Sequence, residues 1–231
     1  MSRRQFVTIG IDEVGRGAWA GPMLLSAVIN YQFDWRRYFS PAKLGWQWQK
    51  LVVRDSKRLS DKQRLDVWQW YQKQPGMQLV HQWVEVEQIE DWGIKSAWQW
   101  GLGQLINQVL AELEQPARIY LDGNWGPRSA DLLAWQAQGV VCNHQPTWQQ
   151  PAGKPRVKLI TQVKADSRVW EVALASILAK VIRDQWMTKL ADQFPVYAWQ
   201  DNKGYGTRQH RQAIQQHGLT KHHRASWLKG I

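Results

Sequence analysis

Residues 5–30 read QFVTIGIDEVGRGAWAGPMLLSAVIN, and this stretch decides the fold. Residues 5–11 are rich in β-formers and run into Asp12-Glu13, then Gly15, Gly17 and Gly21. That pattern describes a strand ending in a glycine-rich turn. Residues 23–30, MLLSAVIN, form a second apolar strand, so the chain opens as a hairpin. Neighbouring residues on a strand face opposite sides. Asp12 and Glu13 therefore converge only if the strand breaks at them, and glycines at 10, 15 and 17 supply the places to break.

Outward from the hairpin, residues 32–54 are a long excursion with no assigned elements. Ser60 with Gln63 predicts a capping box opening a helix to about Gln74. Residues 78–86 alternate as a strand does. Residues 94–114 place Ile94, Ala97, Trp98, Leu102, Leu105, Ile106, Val109 and Leu113 at helical spacing, and Pro116 stops that helix. Residues 117–121, ARIYL, predict a short buried strand that delivers Asp122 at its carboxyl end. Val140-Val141 suggests another strand, and 143–158 a surface loop. Asp166 or Ser167 is expected to cap a long helix reaching about Gln193, and 207–217 to form a last short helix. Strands that precede helices and then mix with them favour an α/β fold on one sheet over a helical bundle.

A chain of 231 residues, 44% hydrophobic and 21% charged, can bury one core with a small lobe. No apolar run approaches the roughly 18 residues of a bilayer span, and no secretory apolar region follows Arg3-Arg4. The expectation is a cytoplasmic protein. Cys142 stands alone, which excludes an intramolecular disulfide and a cysteine-cluster zinc site. The net charge of +11 is uneven: residues 1–150 carry 16 basic and 14 acidic side chains, residues 151–231 carry 14 and 5. A basic C-terminal third on a nearly neutral body points to a polyanionic partner, nucleic acid before membrane. The 17 tryptophans read as core and surface filling, and none is taken as a site residue.

Within this basic chain, Asp12, Glu13 and Asp122 collect at strand ends, with Asp166 at the mouth of the long helix. A strand-end Asp is by itself usually a cap or turn residue. Four converging carboxylates would repel one another and raise their own pKa values unless a hard cation lay between them. Phosphoryl transfer commonly uses a pair of such cations about 3.5–4 Å apart, one at the attacking water and one at the leaving oxygen. Gly15-Arg16-Gly17 allows close backbone approach and adds a charged fork, and Lys203-Gly204-Tyr205-Gly206-Thr207 sets an aromatic ring between glycines.

Taken in order, GIDEVGRG at 10–17 with AGP at 20–22, RDSKRLS at 54–60, LDGN at 121–124, KADSRV with ASILAKVIRD at 164–184, and KGYGT at 203–207 with His210 resemble the signature blocks of prokaryotic type 2 ribonuclease H, ribonuclease HII. The resemblance implies a ribonuclease H-like fold, a mixed sheet flanked by helices. It divides the chain into a catalytic domain, 1–190, and a small basic helical C-terminal lobe, 191–231, lining the substrate groove. It implies an endonuclease that cuts the RNA strand of RNA–DNA hybrids and cuts 5′ of single ribonucleotides embedded in duplex DNA. The expected cofactor is Mn²⁺ or Mg²⁺, and the expected products carry 3′-hydroxyl and 5′-phosphate ends. No obligate protein partner is implied. Motif to motif, the metal-binding catalytic acids fall on Asp12, Glu13, Asp122 and Asp166. The element that reads the 2′-hydroxyl falls on Gly15, Arg16 and Gly17, and the tyrosine that stacks at the ribose–deoxyribose junction on Tyr205.

Two departures stand out. Ala18-Trp19 replaces the family's proline and small residue after the glycine loop, and the 32–50 and 143–158 excursions look long. Asp184 is the alternative to Asp166, but its helical position suits an ion pair with Lys180 or Arg183. The rival readings are a DNA-directed nuclease on the same fold and a binding module without catalysis.

Overall fold

The computed structural model describes residues 6–42, 45–123, 140–142 and 156–230. Its centre is a six-stranded sheet. The strands are β1 (Val7–Val14), β2 (Met23–Asn30), β6 (Met77–Val84), β7 (Ala117–Asp122), β8 (Val140–Cys142) and β9 (Val157–Gln162), in the order β6-β2-β1-β7-β9-β8. β1, β2 and β6 pair antiparallel, whereas β7 joins β1, and β9 joins β7 and β8, in parallel. The predicted opening hairpin is present. β2 lies where the sequence places it, and buries all eight of its residues.

The 32–54 excursion forms a separate three-stranded antiparallel sheet, β3 (Ser40–Ala42), β4 (Gly45–Trp48) and β5 (Leu51–Val53). Trp46, Phe39 and Val53 from it join Trp70 and Trp170 in one buried aromatic cluster. Pattern reading gave no element here because the strands are three or four residues long. β9 begins inside the stretch expected to be a surface loop, 143–158, of which 143–155 lies outside the described residues.

The described residues hold five helices, α1 (Asp61–Tyr71), α2 (Val86–Ala111), α3 (Trp170–Ala191), the single turn α4 (Trp199–Asn202) and α5 (Arg208–His217), of which the first three flank the sheet. Ser60 and Gln63 form the expected reciprocal capping box on α1. α2 starts earlier than its apolar stripe predicts. A second capping box, Glu85 with Gln88, opens a run that meets the predicted helix across a kink at Gly93 (φ 73°). The expected cap on α3 is wrong: Val169 is the N-cap, and Asp166 and Ser167 lie in a separate 3₁₀ turn, Ala165–Ser167. That turn forms because Lys164 adopts the left-handed region (φ 59°) and the Ala165 N–H is held by Asp122 instead of entering a helix.

One core lies between the sheet and α2, a second between the sheet, α1 and α3, and a third beneath α4 and α5. α3 crosses β1 at Gly10, where a Cβ atom would run into the backbone of Glu171 and Val172. No helix among the described residues is long and apolar enough to cross a membrane.

Candidate active site

The carboxyl ends of the parallel strands β1 and β7 lie side by side, paired through Ile11 and Leu121, so Asp12 and Asp122 emerge together. In sheets of this kind, ligands bind outside the carboxyl ends of the strands. β1 does not break at the acids, contrary to the expectation from the glycines. It stays paired with β2 through Val14, opposite Leu24. Asp12 and Glu13 therefore leave the sheet on opposite faces. Asp12 meets Ser176 of α3, whereas Glu13 accepts from the Trp98 indole of α2 at 3.3 Å.

Asp122 Oδ1 accepts from the Ala165 N–H at 2.6 Å, which draws the Asp166 turn onto the end of β7. Asp12, Glu13 and Asp166 each feel the charge of Asp122. Burial, then the charges of Glu13 and Asp122, holds the Asp12 carboxyl well above the usual range, opposed by a Ser176 hydrogen bond. Burial raises Glu13 too, against Arg16, Trp98 and Lys57, with Asp122 adding to the rise. Asp166 is pushed up to about 6 by burial, Asp122 and Asp55, with Lys57 opposing.

This donor set is oxygen-only and crowded with negative charge, which suits a hard divalent cation. As they stand, the side chains do not close a cage: among the described residues no three His, Cys, Asp or Glu side chains group tightly enough to hold an ion. The reason is visible in their partners. Glu13 is turned onto Arg16 at 3.0 Å and onto Trp98, and Asp122 is turned onto Ala165. Asp184 pairs with Lys180 at 2.8 Å, the role its helical position suggested.

Beside the acids, Gly15 takes φ +83°, and its Cβ position is filled by the Arg183 side chain. Arg16 and Gly17 are exposed. Tyr205 sits across from them. The Trp19 and Ala20 N–H groups both donate to the Gly204 carbonyl, at 2.8 and 3.0 Å, so the two glycine loops are bound to each other. The Tyr205 ring has Lys180 at 5.4 Å and Arg183 at 5.6 Å.

The match to known proteins fits this arrangement. Residues 9–229 match the family model described as Ribonuclease HII. The chain belongs to the ribonuclease HII family. The ribonuclease HII of Thermosynechococcus vestitus is 34% identical over 224 residues, covering 96% of this chain and 84% of the relative. That of Pelagibacter ubique is 30% identical over 222 residues, covering 96% and 95%. A chain of the PCNA:RNase HII complex from Archaeoglobus fulgidus superposes with a TM-score of 0.66 at 21% identity, over 97% of this chain and 95% of that one. Bst-RNase HIII in complex with Mn²⁺ gives 0.58 at 17%, over 94% of this chain and 64% of that one. These two structures carry the fold alone. As a ribonuclease HII, the chain is a hydrolase of the RNA in RNA–DNA hybrids, in a divalent-metal-dependent family.

Several residues around the site went unassigned from sequence. Asp55 and Lys57 act on Asp166, and Ser176 and Trp98 touch the acids directly. Lys57 and Ser176 lie inside the RDSKRLS and ASILAK blocks, so the signal was present without a role attached to it.

Proposed function

We propose that this ribonuclease HII cuts continuous RNA–DNA hybrids and also nicks duplex DNA on the 5′ side of a single embedded ribonucleotide, leaving 3′-hydroxyl and 5′-phosphate ends. The observation that carries the reading is that the chain leaving the Gly15–Gly17 turn is hydrogen-bonded, through the Trp19 and Ala20 N–H groups, to Gly204 beside Tyr205, directly downstream of Asp12 and Glu13. A turn with exposed Arg16 and Gly17 can test for a 2′-hydroxyl, the group that separates RNA from DNA. The Tyr205 ring can stack on the adjoining sugar or base.

Asp12, Glu13, Asp122 and Asp166 would hold a pair of Mg²⁺ or Mn²⁺ ions. When bound, such ions supply Lewis acidity at the scissile phosphate and at the water that attacks it. Glu13, which now pairs with the Arg16 guanidinium at 3.0 Å, would be one of the ligands, and Arg16 would stand beside the bound substrate backbone. Residues 191–231 form the basic side of the groove, with Arg208 and Arg211 exposed on α5. Residues 1–190 carry the chemistry, and the working compartment is the cytoplasm.

The test is an end-labelled DNA duplex with one ribonucleotide, beside a continuous hybrid and an all-DNA duplex, with Mg²⁺ or Mn²⁺ and with chelator. A single metal-dependent cut 5′ of the ribonucleotide is expected, with the all-DNA duplex intact. Cutting of the hybrid alone would retire the junction reading and keep the metal site. Cutting of all-DNA duplex would make the protein a DNA-directed nuclease.

A further inference from the structure

Two arginines, Arg183 and Arg224, are among the largest fully buried side chains of the described residues. Neither guanidinium hydrogen-bonds a carboxylate; among the described residues both are spent on backbone carbonyls. Arg183 donates to Pro22 at 2.8 Å, Ala20 at 3.0 Å and Lys203 at 2.9 Å. Arg224 donates to Gly15 at 2.7 Å, to Arg16 at 2.8 Å and twice to Gly21, at 2.9 and 3.2 Å. The chain around Arg224 straps the same loop: its own N–H donates to the Trp19 carbonyl at 2.7 Å, and the Gly21 N–H donates to His222 at 2.8 Å.

Burying a guanidinium without a counter-charge costs several kcal/mol in general, and an apolar side chain of like volume would anchor the tail without that cost. What only the planar fork supplies is direction. All peptide bonds among the described residues are trans. In a trans peptide plane, the C=O of one residue and the N–H of the next point opposite ways. Pulling the Gly15 and Arg16 carbonyls inward onto Arg224 therefore aims the N–H groups of Arg16 and Gly17 outward. The Gly17 N–H has no hydrogen-bond partner among the described residues, and the space beside its Cα is open.

We propose that Arg224 is a positioning residue for ribose recognition: its buried fork fixes the Gly15–Gly17 peptides so that their N–H groups face an incoming 2′-oxygen. The C-terminal strap thereby sets the discrimination between ribose and deoxyribose without touching substrate. This rests on the reading, given above, that the turn tests for a 2′-hydroxyl.

The experiment measures binding by fluorescence anisotropy, in chelator and in an Asp12→Asn background. The two probes are a labelled duplex with one ribonucleotide and the same sequence as all DNA. The readout is the ratio of the two dissociation constants, which does not depend on the folded fraction, so a merely destabilised variant leaves it unchanged. Arg224→Lys keeps the charge and loses the fork, and should lower the ratio about tenfold toward one, the scale of a misaligned hydrogen bond, with all-DNA affinity nearly constant. Arg224→Gln should do the same. An unchanged ratio in both variants overturns the proposal. Gly17→Ala separates the two levels of the argument. If it collapses the ratio while Arg224→Lys does not, the turn reads ribose and Arg224 has no part in it. If Asp12→Asn alone shows a ratio near one, the ribose reading falls and takes this inference with it.

Discussion

Removing the charge of Asp166 should stabilise the metal-free protein at neutral pH. Its pKa rises from the ordinary 3.8 to about 6, first through burial and then through Asp122 and Asp55. The folded state thus holds this proton more tightly than the unfolded chain does. Stability is consequently unaffected below about pH 4, falls as pH rises through the interval, and stays lowered above about pH 6. At about 1.4 kcal/mol for each tenfold change in proton affinity, the full effect is about 3 kcal/mol. Solvent screening of this partly exposed group cuts it to about 1–2 kcal/mol. Asp166→Asn keeps the shape and removes the charge. In chelator at pH 7.5 it should melt about 2–8 °C above wild type, taking about 2–4 °C per kcal/mol for a chain of this length. At pH 4 the two should melt together. Adding Mn²⁺ should then stabilise wild type more than the variant, because a ligand bound only to the folded state stabilises in proportion to its affinity. Calorimetry from pH 4 to 7.5 measures all of this. A variant that melts at or below wild type at pH 7.5 in chelator would refute the crowded-carboxylate account of the site.

Asp12→Asn should abolish cleavage and leave hybrid binding largely intact; cutting at the wild-type rate would remove Asp12 from the metal centre. Ser176→Ala removes the hydrogen bond that counters proton uptake by Asp12 and strands the Ser56 hydroxyl 2.9 Å away. The metal concentration for half-maximal activity should rise roughly tenfold, the usual scale for an outer-shell partner, and an unshifted metal titration would show that Ser176 does not tune the site. Gly10→Ala forces a methyl group into the Glu171–Val172 backbone and should cost about 1–3 kcal/mol, read as a lower melting temperature. A variant that melts with wild type would mean that α3 can slide without penalty.

The hairpin of β1 and β2, the strand that presents Asp122 and the capping box on α1 were all legible, because each is written in local periodicity or in one short motif. Glycines 10, 15 and 17 read as places for β1 to break, and only Gly10 misled: it is there for the close approach of α3, whereas the strand runs on to Val14 and ends at Gly15 (φ 83°), as the glycine-rich turn predicts. Local pattern cannot separate a glycine that frees the backbone from one that admits a neighbour. The cap on α3 failed for a related reason: Asp166 and Ser167 have the right side chains, but a distant carboxylate, Asp122, captures the Ala165 N–H first. Most described tryptophans behave as the composition suggested and fill the cores. Trp98 does that and also donates to Glu13, a role set by packing across the sheet and invisible in the chain around it.

The same distinction corrects the argument from charge. The basic surplus of residues 151–231 pointed to a polyanion on the premise that basic side chains lie at the surface. Arg183 and Arg224 do not; they are interior donors to backbone carbonyls, so they offer phosphates no contact and only part of the surplus is available for binding. What remains is directional: Arg208, Arg211 and Lys221 are exposed on and beyond α5, while Lys180 and Lys203 flank the Tyr205 loop. The affinity for a nucleic acid bound by these groups would then fall with salt according to the exposed cations alone, a slope of about 0.9 per neutralised phosphate. The two buried arginines would contribute nothing to that slope, because their guanidinium groups are spent on backbone carbonyls. Charge on this chain therefore performs two separable tasks, attraction at the surface and backbone alignment in the interior, and only burial tells which residue has which.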